Sequence, residues 1–198
     1  EAFVPMAHTP ISLLERLSRQ PDSASWQRLI DLYTPLIRTW LRSYSLQQSD
    51  IDDLSQDVLG VLVKELPGFQ HNQRAGAFRR WLRRITVNRL RGFWRARLPQ
   101  AVGTGTLDAP TLDQLEDPDS LLSQRWDEEH DRHVVSRLLE LLEPEFEPTT
   151  WHAFRQLMLE GKTTSEVAAD LGITPNAARI AKSRVLSRFR KEIEGLVD

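Results

Sequence analysis

The sequence predicts an all-α protein made of two small helical domains joined by a flexible acidic linker. Apolar residues recur at spacings of three and four along both halves of the chain, which is the period of amphipathic helices. No segment alternates apolar and polar residues for long enough to require a sheet. Between residues 98 and 119, glycine, proline, threonine and aspartate interrupt every period, which indicates the linker.

The composition is that of an ordinary globular protein. A chain of 198 residues is long enough for one large domain or two small ones. No apolar run approaches the roughly 18 residues of a membrane span, so we expect a soluble protein. Cysteine is absent, which excludes disulfides and thiolate zinc sites and fits a cytoplasmic location. No signal peptide is recognisable, and we expect Met6 to be the natural start.

Charge is segregated along the chain, although the net charge is only −2. Residues 107–148 hold thirteen Asp and Glu against three Arg. Residues 175–191 hold six basic residues and no acid, and residues 69–97 hold no acid and nine arginines, at positions 74, 79, 80, 83, 84, 89, 91, 95 and 97. Two basic blocks suggest two surfaces for a polyanion such as nucleic acid. Taken singly, either block is equally compatible with a solvated helix face.

Four helices are predicted in the first half. A short amphipathic helix within residues 7–24 comes first. Ser25 is expected to cap the second, and the third begins near Asp50 or Asp52 and ends before Pro67. The fourth covers residues 77–97. It has an apolar stripe (Phe78, Trp81, Leu82 and Ile85) and an arginine stripe on another face (Arg80, Arg84, Arg91 and Arg95).

The second half ends in a helix-turn-helix pattern. A long helix over about 120–142 comes first, followed by another between 149 and 160 with Trp151, Phe154, Leu157 and Met158 inward. Thr163 and Glu166 form a possible capping box, Gly172 ends that short helix, and Thr174 can cap a basic helix with Ile180, Val185 and Phe189 inward. Such a helix can enter the major groove of DNA. The alternative is a plain three-helix domain with a solvated basic face.

Residues on the basic helix have different expected roles. Asn176 and Arg179 lie near its N-terminal end, where base edges are reached. Lys182, Arg184 and Arg188 are better placed for phosphates.

Motifs in both halves resemble those of the extracytoplasmic-function σ factors of bacterial RNA polymerase. Residues 53–58, D-L-S-Q-D-V, are similar to the family's D-L-x-Q-E-V, with Asp57 in place of the usual Glu. This implies that Asp53, Gln56 and Asp57 contact the clamp helices of the polymerase β′ subunit. It also implies an N-terminal segment (1–24), σ region 2 (25–97), a linker in place of region 3 (98–119) and σ region 4 (120–198).

The fourth helix resembles the promoter-melting helix of that family. Residues 78–88, F-R-R-W-L-R-R-I-T-V-N, are similar to F-R-x-W-L-x-x-I-A-x-N. The resemblance implies that this helix and the loop before it, residues 70–76, bind and melt the promoter box nearest the start site. A flipped base needs polar partners and the strand needs cations. The candidates are His71, Asn72, Gln73, Arg80, Arg83, Arg84 and Asn88. Trp81 fits the core better than a stacking platform.

Residues 163–172 are similar to the family's S-x-x-E-I-A-x-x-L-G, which implies binding to the distal promoter box. Where many members read T-V-K-S-R, this chain has A-A-R-I-A at 177–181, so the sequence of that box does not carry over. Lys182 is the candidate substitute for the missing arginine. The linker acids (Asp108, Asp113, Glu116 and Asp117) could lie in the polymerase's basic channel or serve as a solubilising tether.

The predicted partners are core RNA polymerase, through its β′ clamp helices and β subunit, and promoter DNA. An anti-σ factor is a further possible partner. No cofactor, metal, catalytic residue or membrane contact is predicted. An alternative is an enzyme whose active site uses the four aspartates of the third helix, Asp50, Asp52, Asp53 and Asp57. No catalytic motif accompanies them in the sequence. A repressor or activator using the helix-turn-helix alone leaves the arginine helix unexplained.

Overall fold

The computed structural model describes residues 12–19, 22–44, 46–69, 76–97, 114, 117 and 119–197. These residues form eight α-helices and no sheet, which confirms the all-α fold class. No described helix is both long and apolar enough to cross a membrane. The helices are α1 (Leu13–Arg19), α2 (Ser23–Leu41), α3 (Gln48–Glu65), α4 (Ala77–Arg97), α5 (Leu121–Leu142), α6 (Pro148–Met158), α7 (Thr164–Leu171) and α8 (Pro175–Ile193).

The N-terminus of α2 differs from the sequence prediction. Asp22, not Ser25, is the N-cap, and its Oδ1 accepts from the Ser25 backbone N–H at 2.8 Å. The Ser25 hydroxyl donates to the other carboxylate oxygen at 2.7 Å. These two hydrogen bonds, the backbone one first, lower the pKa of Asp22. The prediction was wrong by one helical turn because an Asp three residues upstream can accept both donors.

Helices α2, α3 and α4 pack around an aromatic and aliphatic core. Tyr33 and Phe78 are fully buried, with their ring centroids 5.4 Å apart. Trp81 is half-buried and stacks on Phe69 at 4.7 Å between centroids. Trp81 therefore packs against the core, as its spacing indicated.

Helix α5 extends that same core. Its apolar stripe, made of Trp126, Val134, Leu138 and Leu142, is buried in one continuous cluster with the side chains of α1 to α4. The rings of Trp126 and Trp40 meet edge to face at 6.4 Å. Leu196, just after α8, is buried in this cluster too. The halves on either side of residues 98–119 thus share apolar packing.

Two inward predictions in the second half were wrong. Met158 is 42% exposed and Ile180 is 45% exposed. Met158 is the last residue of α6, and its neighbour Leu157 packs inward instead. Ile180 lies on the outer side of α8 because the small residues Ala178 and Ala181 form the buried side there.

Candidate polymerase and nucleic-acid interfaces

The acidic residues of α3 divide into engaged and exposed groups. Asp50 is buried, and Asp52 forms an ion pair with Arg38 at 3.0 Å. Asp53, Gln56 and Asp57 are exposed, and their spacing places them on one helix face. A cavity of about 210 Å³ beside them is lined by Asp53, Asp57, Asn88 and Arg89, among others. The structure therefore brings the three predicted polymerase-binding residues together on an accessible surface.

Helix α4 presents some of its predicted DNA-binding residues to solvent. Arg84 and Asn88 are exposed and Arg80 is half-buried. A cavity of about 280 Å³ is lined by Trp81, Arg84 and Asn88 together with Glu65. The predicted loop residues His71, Asn72 and Gln73 lie outside the described residues.

Arg83 points in another direction and is only 4% exposed. Its Nη1 donates to Asp127 Oδ1 at 2.9 Å and to the Ser123 carbonyl at 3.2 Å, both on α5. Its guanidinium lies over the Trp126 ring, 5.9 Å from the centroid. Burial lowers the pKa of Arg83, and the Asp127 charge opposes this effect. Arg83 is thus engaged by α5 in this structure.

Arg79 makes a similar contact one turn earlier. Its Nη1 donates to Asp131 Oδ2 at 2.7 Å, and its Nε lies 3.2 Å from Asp127 Oδ2. Gly76 precedes it with φ +66°, and a Cβ atom there would lie 2.8 Å from Arg79 Nε. Glycine at 76 therefore leaves room for the Arg79 side chain at the start of α4.

The helix-turn-helix has the predicted ends. Thr163 and Glu166 form both hydrogen bonds of a capping box, and Gly172 ends α7 with φ 64°. Thr174 caps α8, with its Oγ1 accepting from the Ala177 N–H at 3.1 Å. Hydrogen bonds from Thr163, the backbone one first, lower the pKa of Glu166. These local signals fix the two helices that the sequence predicted.

The outer surface of α8 has an uncharged stripe between cations. Asn176, Ile180, Ser183 and Ser187 are exposed and follow one another at spacings of four, three and four. Arg179 and Arg190 lie on one side of this stripe, and Arg184 and Lys191 lie on the other. An open groove of about 810 Å³ is lined by Arg179, Lys182, Arg190 and Lys191, among others.

Arg188, a predicted phosphate contact, lies away from that stripe. Its Nε donates to Glu145 Oε2 at 2.9 Å, and its Nη1 donates to Glu192 Oε2 at 2.5 Å. Glu192 is fully buried and also accepts from Arg16 at 2.7 Å and Arg28 at 3.0 Å. Burial raises the pKa of Glu192, but hydrogen bonds from Arg16 and Arg188 outweigh it and leave the pKa lowered.

We call this set, Arg16, Arg28, Glu145, Arg188 and Glu192, the Glu192 cluster. It joins α1 and α2 to α8 and to the short turn Glu143–Glu145. Sequence reasoning missed it because the partners are 164 and 176 residues apart. The one available signal was Glu192 itself, a carboxylate directly after a run of basic residues.

The acidic residues do not form a metal site in the part of the chain that the structure describes. No three His, Asp or Glu side chains there are arranged to hold an ion.

Comparison with known proteins identifies the class of the first half. Residues 29–98, which span most of α2 and all of α3 and α4, match the family described as Sigma-70 region 2. The "RNA polymerase sigma-E factor" of Streptomyces avermitilis is 27% identical over 145 residues, covering 73% of this chain and 72% of the relative. The protein of the same name from Streptomyces antibioticus is 26% identical over 145 residues, covering 73% and 71%.

Residues 29–98 are thus a σ region 2. The matched family and the two relatives support a σ factor that directs RNA polymerase to promoters. This confirms the resemblance drawn from the two motifs of region 2.

Proposed function

We propose that this σ factor binds core RNA polymerase through α3, melts the proximal promoter box through α4 and the preceding loop, and binds the distal box through α8. The observation that supports this most directly is one chain that combines an accessible acidic face on α3, the basic helix α4 and a helix-turn-helix. A repressor or activator would need only the last of these.

The polymerase contact is proposed for Asp53, Gln56 and Asp57. All three are exposed on one face of α3, whereas their neighbours Asp50 and Asp52 are engaged within the chain. A rigid helix presenting two carboxylates and an amide suits a basic helical partner such as the β′ clamp helices. Contact with the β subunit belongs to the same proposal.

Promoter melting is proposed for the exposed side of α4. Arg80, Arg84 and Asn88 can bind the displaced strand, and the cavity beside Trp81 can receive part of an unstacked base. His71, Asn72 and Gln73 remain proposed base contacts on the strength of the family resemblance. Arg83 can take part only after its ion pair with Asp127 is broken.

Distal-box binding is proposed for the uncharged stripe of α8 and its flanking cations. The Asn176 amide can read adenine, and the exposed Ile180 side chain can contact a thymine methyl group. Arg179 extends this base-reading end, while Lys182 and Arg184 are placed for phosphates. Arg188 would join them only if it left Glu145 and Glu192.

Regulation and location follow as further parts of the proposal. A σ factor acts where RNA polymerase acts, so we place this one in the cytoplasm. An anti-σ partner remains a prediction. The two interpretations of the linker also remain open, because Asp108, Asp113 and Glu116 lie outside the described residues.

The deciding experiment combines purified chain with core RNA polymerase and measures co-elution and promoter-dependent transcription. Asp53→Ala with Gln56→Ala should weaken core binding by about tenfold or more, as expected for interface hot spots. The matched control replaces the exposed Gln47 and Ser49 by Ala at the start of α3. If the chain binds duplex DNA but never joins core polymerase, the proposal is wrong.

A further inference from the structure

We infer that Gly60 is the point at which a helix of core RNA polymerase comes closest to α3, and that a side chain there would hold the two helices apart. This inference rests on the proposed polymerase contact of Asp53, Gln56 and Asp57 and describes the shape of that contact. The partner that fits is an α-helix with a small or apolar residue at the crossing point and cations beside it.

The described structure gives Gly60 no role within the chain. It lies in the interior of α3, and it is not among the glycines with positive φ. A Cβ atom at this position would meet no other side chain and no neighbouring element within 4 Å. Neither a special backbone conformation nor a close neighbour therefore requires glycine. Alanine would stabilise the helix more at this position, because glycine loses more conformational freedom on folding.

Gly60 lies in the middle of the exposed face of α3. The apolar side chains that α3 buries in the core are Ile51, Leu54, Val58 and Leu62. At about 100° per residue, Gly60 points roughly opposite to them, and it is exposed. Gln56 and Asp57, four and three residues earlier, are its neighbours on the helix surface. Gly60 therefore belongs to the same accessible face as the proposed polymerase contacts.

Side chains surround Gly60 on this face, whereas Gly60 contributes none. Gln56 and Asp57 lie on one side of it, and Val63 and Lys64 follow it by three and four residues. The distance between two packed helices depends on the side chains at their contact. A partner helix that crosses α3 over Gly60 can therefore approach the backbone more closely than over a residue with a side chain.

The groups around Gly60 define the chemistry of the partner. Asp53 and Asp57 are exposed, while Asp52 is paired with Arg38. Carboxylates on one face attract cations and repel phosphates. Val63 is 41% exposed and offers an apolar contact on the other side of Gly60. A basic protein helix fits this combination, and nucleic acid does not.

Two substitutions separate a role in binding from a role in folding. Gly60→Ala and Gly60→Gln each introduce a better helix former at a position with free space. Each should raise the thermal midpoint of the free chain by about 2 °C, measured by circular dichroism. A lower midpoint would mean that the fold itself needs glycine, and it would overturn the inference.

Affinity for core RNA polymerase should change in the opposite direction. Extra atoms in a packed contact force the packed elements apart, so Gly60→Gln should weaken binding by about tenfold and Gly60→Ala by less. Biolayer interferometry with immobilised core polymerase should show the loss as faster dissociation. The salt dependence of binding should stay the same, because neither substitution changes a charge.

Ser136→Gln is the matched control. Ser136 is exposed in the interior of α5, and the substitution also introduces a longer side chain that favours a helix. Because Ser136 lies on another helix, its replacement should leave the affinity for core polymerase unchanged. An equal loss of affinity in Ser136→Gln and Gly60→Gln would show a non-specific effect of added bulk and would overturn the inference.

Asp53→Ala with Gln56→Ala separates this inference from the proposed function. If that double variant loses affinity for core polymerase while both substitutions at Gly60 bind as tightly as the wild type, only the close approach at Gly60 is wrong. If none of these variants loses affinity, the proposed polymerase contact on α3 is wrong as well.

Discussion

Helices α4 and α8 are both rich in arginine, yet their cations have different surroundings. On α4, Arg79 and Arg83 are bound to carboxylates of α5. On α8, Arg179 and Arg184 remain exposed beside an uncharged stripe, and Arg188 alone among the predicted contacts is drawn into a buried cluster. A block of positive charge in a sequence therefore indicates a surface, while the partner of each cation depends on the fold.

The difference between neighbours on one helix is equally informative. Arg83 is 4% exposed and Arg84 is exposed, although they are adjacent in the sequence. Adjacent residues on a helix point about 100° apart, so one side chain can be buried inside the protein while the next contacts a ligand.

The largest expected effect comes from the Glu192 cluster. Glu192→Ala should lower the free energy of unfolding by about 3 kcal/mol, because three arginines lose a buried carboxylate. Urea denaturation monitored by tryptophan fluorescence measures this. Glu194→Ala, an exposed carboxylate two residues away, should change it by less than about 0.5 kcal/mol. Equal losses in the two variants would contradict a special role for Glu192.

A smaller effect should distinguish Arg83 from Arg84. Arg83→Ala should lower the free energy of unfolding by about 2 kcal/mol, because Asp127 loses its partner and a buried side chain is removed. Arg84→Ala should leave stability unchanged but reduce open-complex formation, measured by permanganate footprinting with core polymerase. The reverse pattern would mean that the two arginines have exchanged roles.

On α8, Ile180 and Arg184 should affect different properties of duplex binding. Ile180→Ala should weaken discrimination at one base pair by about 1 kcal/mol without changing the salt dependence. Arg184→Ala should weaken binding to all sequences and reduce the salt slope by about one. Selection from a randomised duplex library, followed by salt titrations, measures both. A change in salt slope for Ile180→Ala would argue against its role as a base contact.

The smallest effect is a dependence on pH at the contact between α2 and α5. Burial lowers the pKa of His130, while the adjacent Asp131 carboxylate opposes this effect. The neighbouring groups are Tyr33 on α2, Arg79 on α4 and Asp127 on α5. Because the folded state favours neutral His130, its contribution to stability is complete above about pH 6.5 and is lost as the pH falls.

His130→Gln should reduce that loss of stability between about pH 6.5 and pH 5, above the range where carboxylates dominate acid denaturation. Replacing the exposed His152 by Gln removes a histidine far from this contact and should preserve the loss. Urea denaturation at a series of pH values measures both variants. If His130→Gln keeps the full pH dependence, another group is responsible.

Features set by nearby residues could be predicted from the sequence. Thr163, Gly172 and Thr174 act on backbone groups within a few residues, so both ends of α7 and the start of α8 were predicted correctly. Asp53 and Gln56 are exposed on one face of α3, as the spacing of a short motif indicated, and their contact with polymerase stays a prediction. Two of the positions that were wrong were Ser25 and Ile180. At each, two nearby residues could fill the role, and the structure uses the other one: Asp22 as the helix cap, and the alanines of α8 as the buried side.

The packing of α5 on the first half could not be predicted in this way. Arg83 and Asp127 are 44 residues apart, and the segment between them contains no pattern that specifies how it folds back. Hydrophobic spacing showed that α5 has an apolar face. Packing on α2, on α4 or on another protein would bury that face equally well. The choice is made by the combined fit of Trp126, His130 and the two arginines, which only the three-dimensional structure shows.

The shared core also affects how long the protein survives. One hydrophobic cluster runs from α1 through α5 to Leu196, so we expect the chain to unfold in a single cooperative transition. Two separated halves would each bury a smaller fraction of their surface than the joined chain. A substitution that weakens the contact between the halves should therefore shorten the lifetime of the protein, because proteases act on opened states.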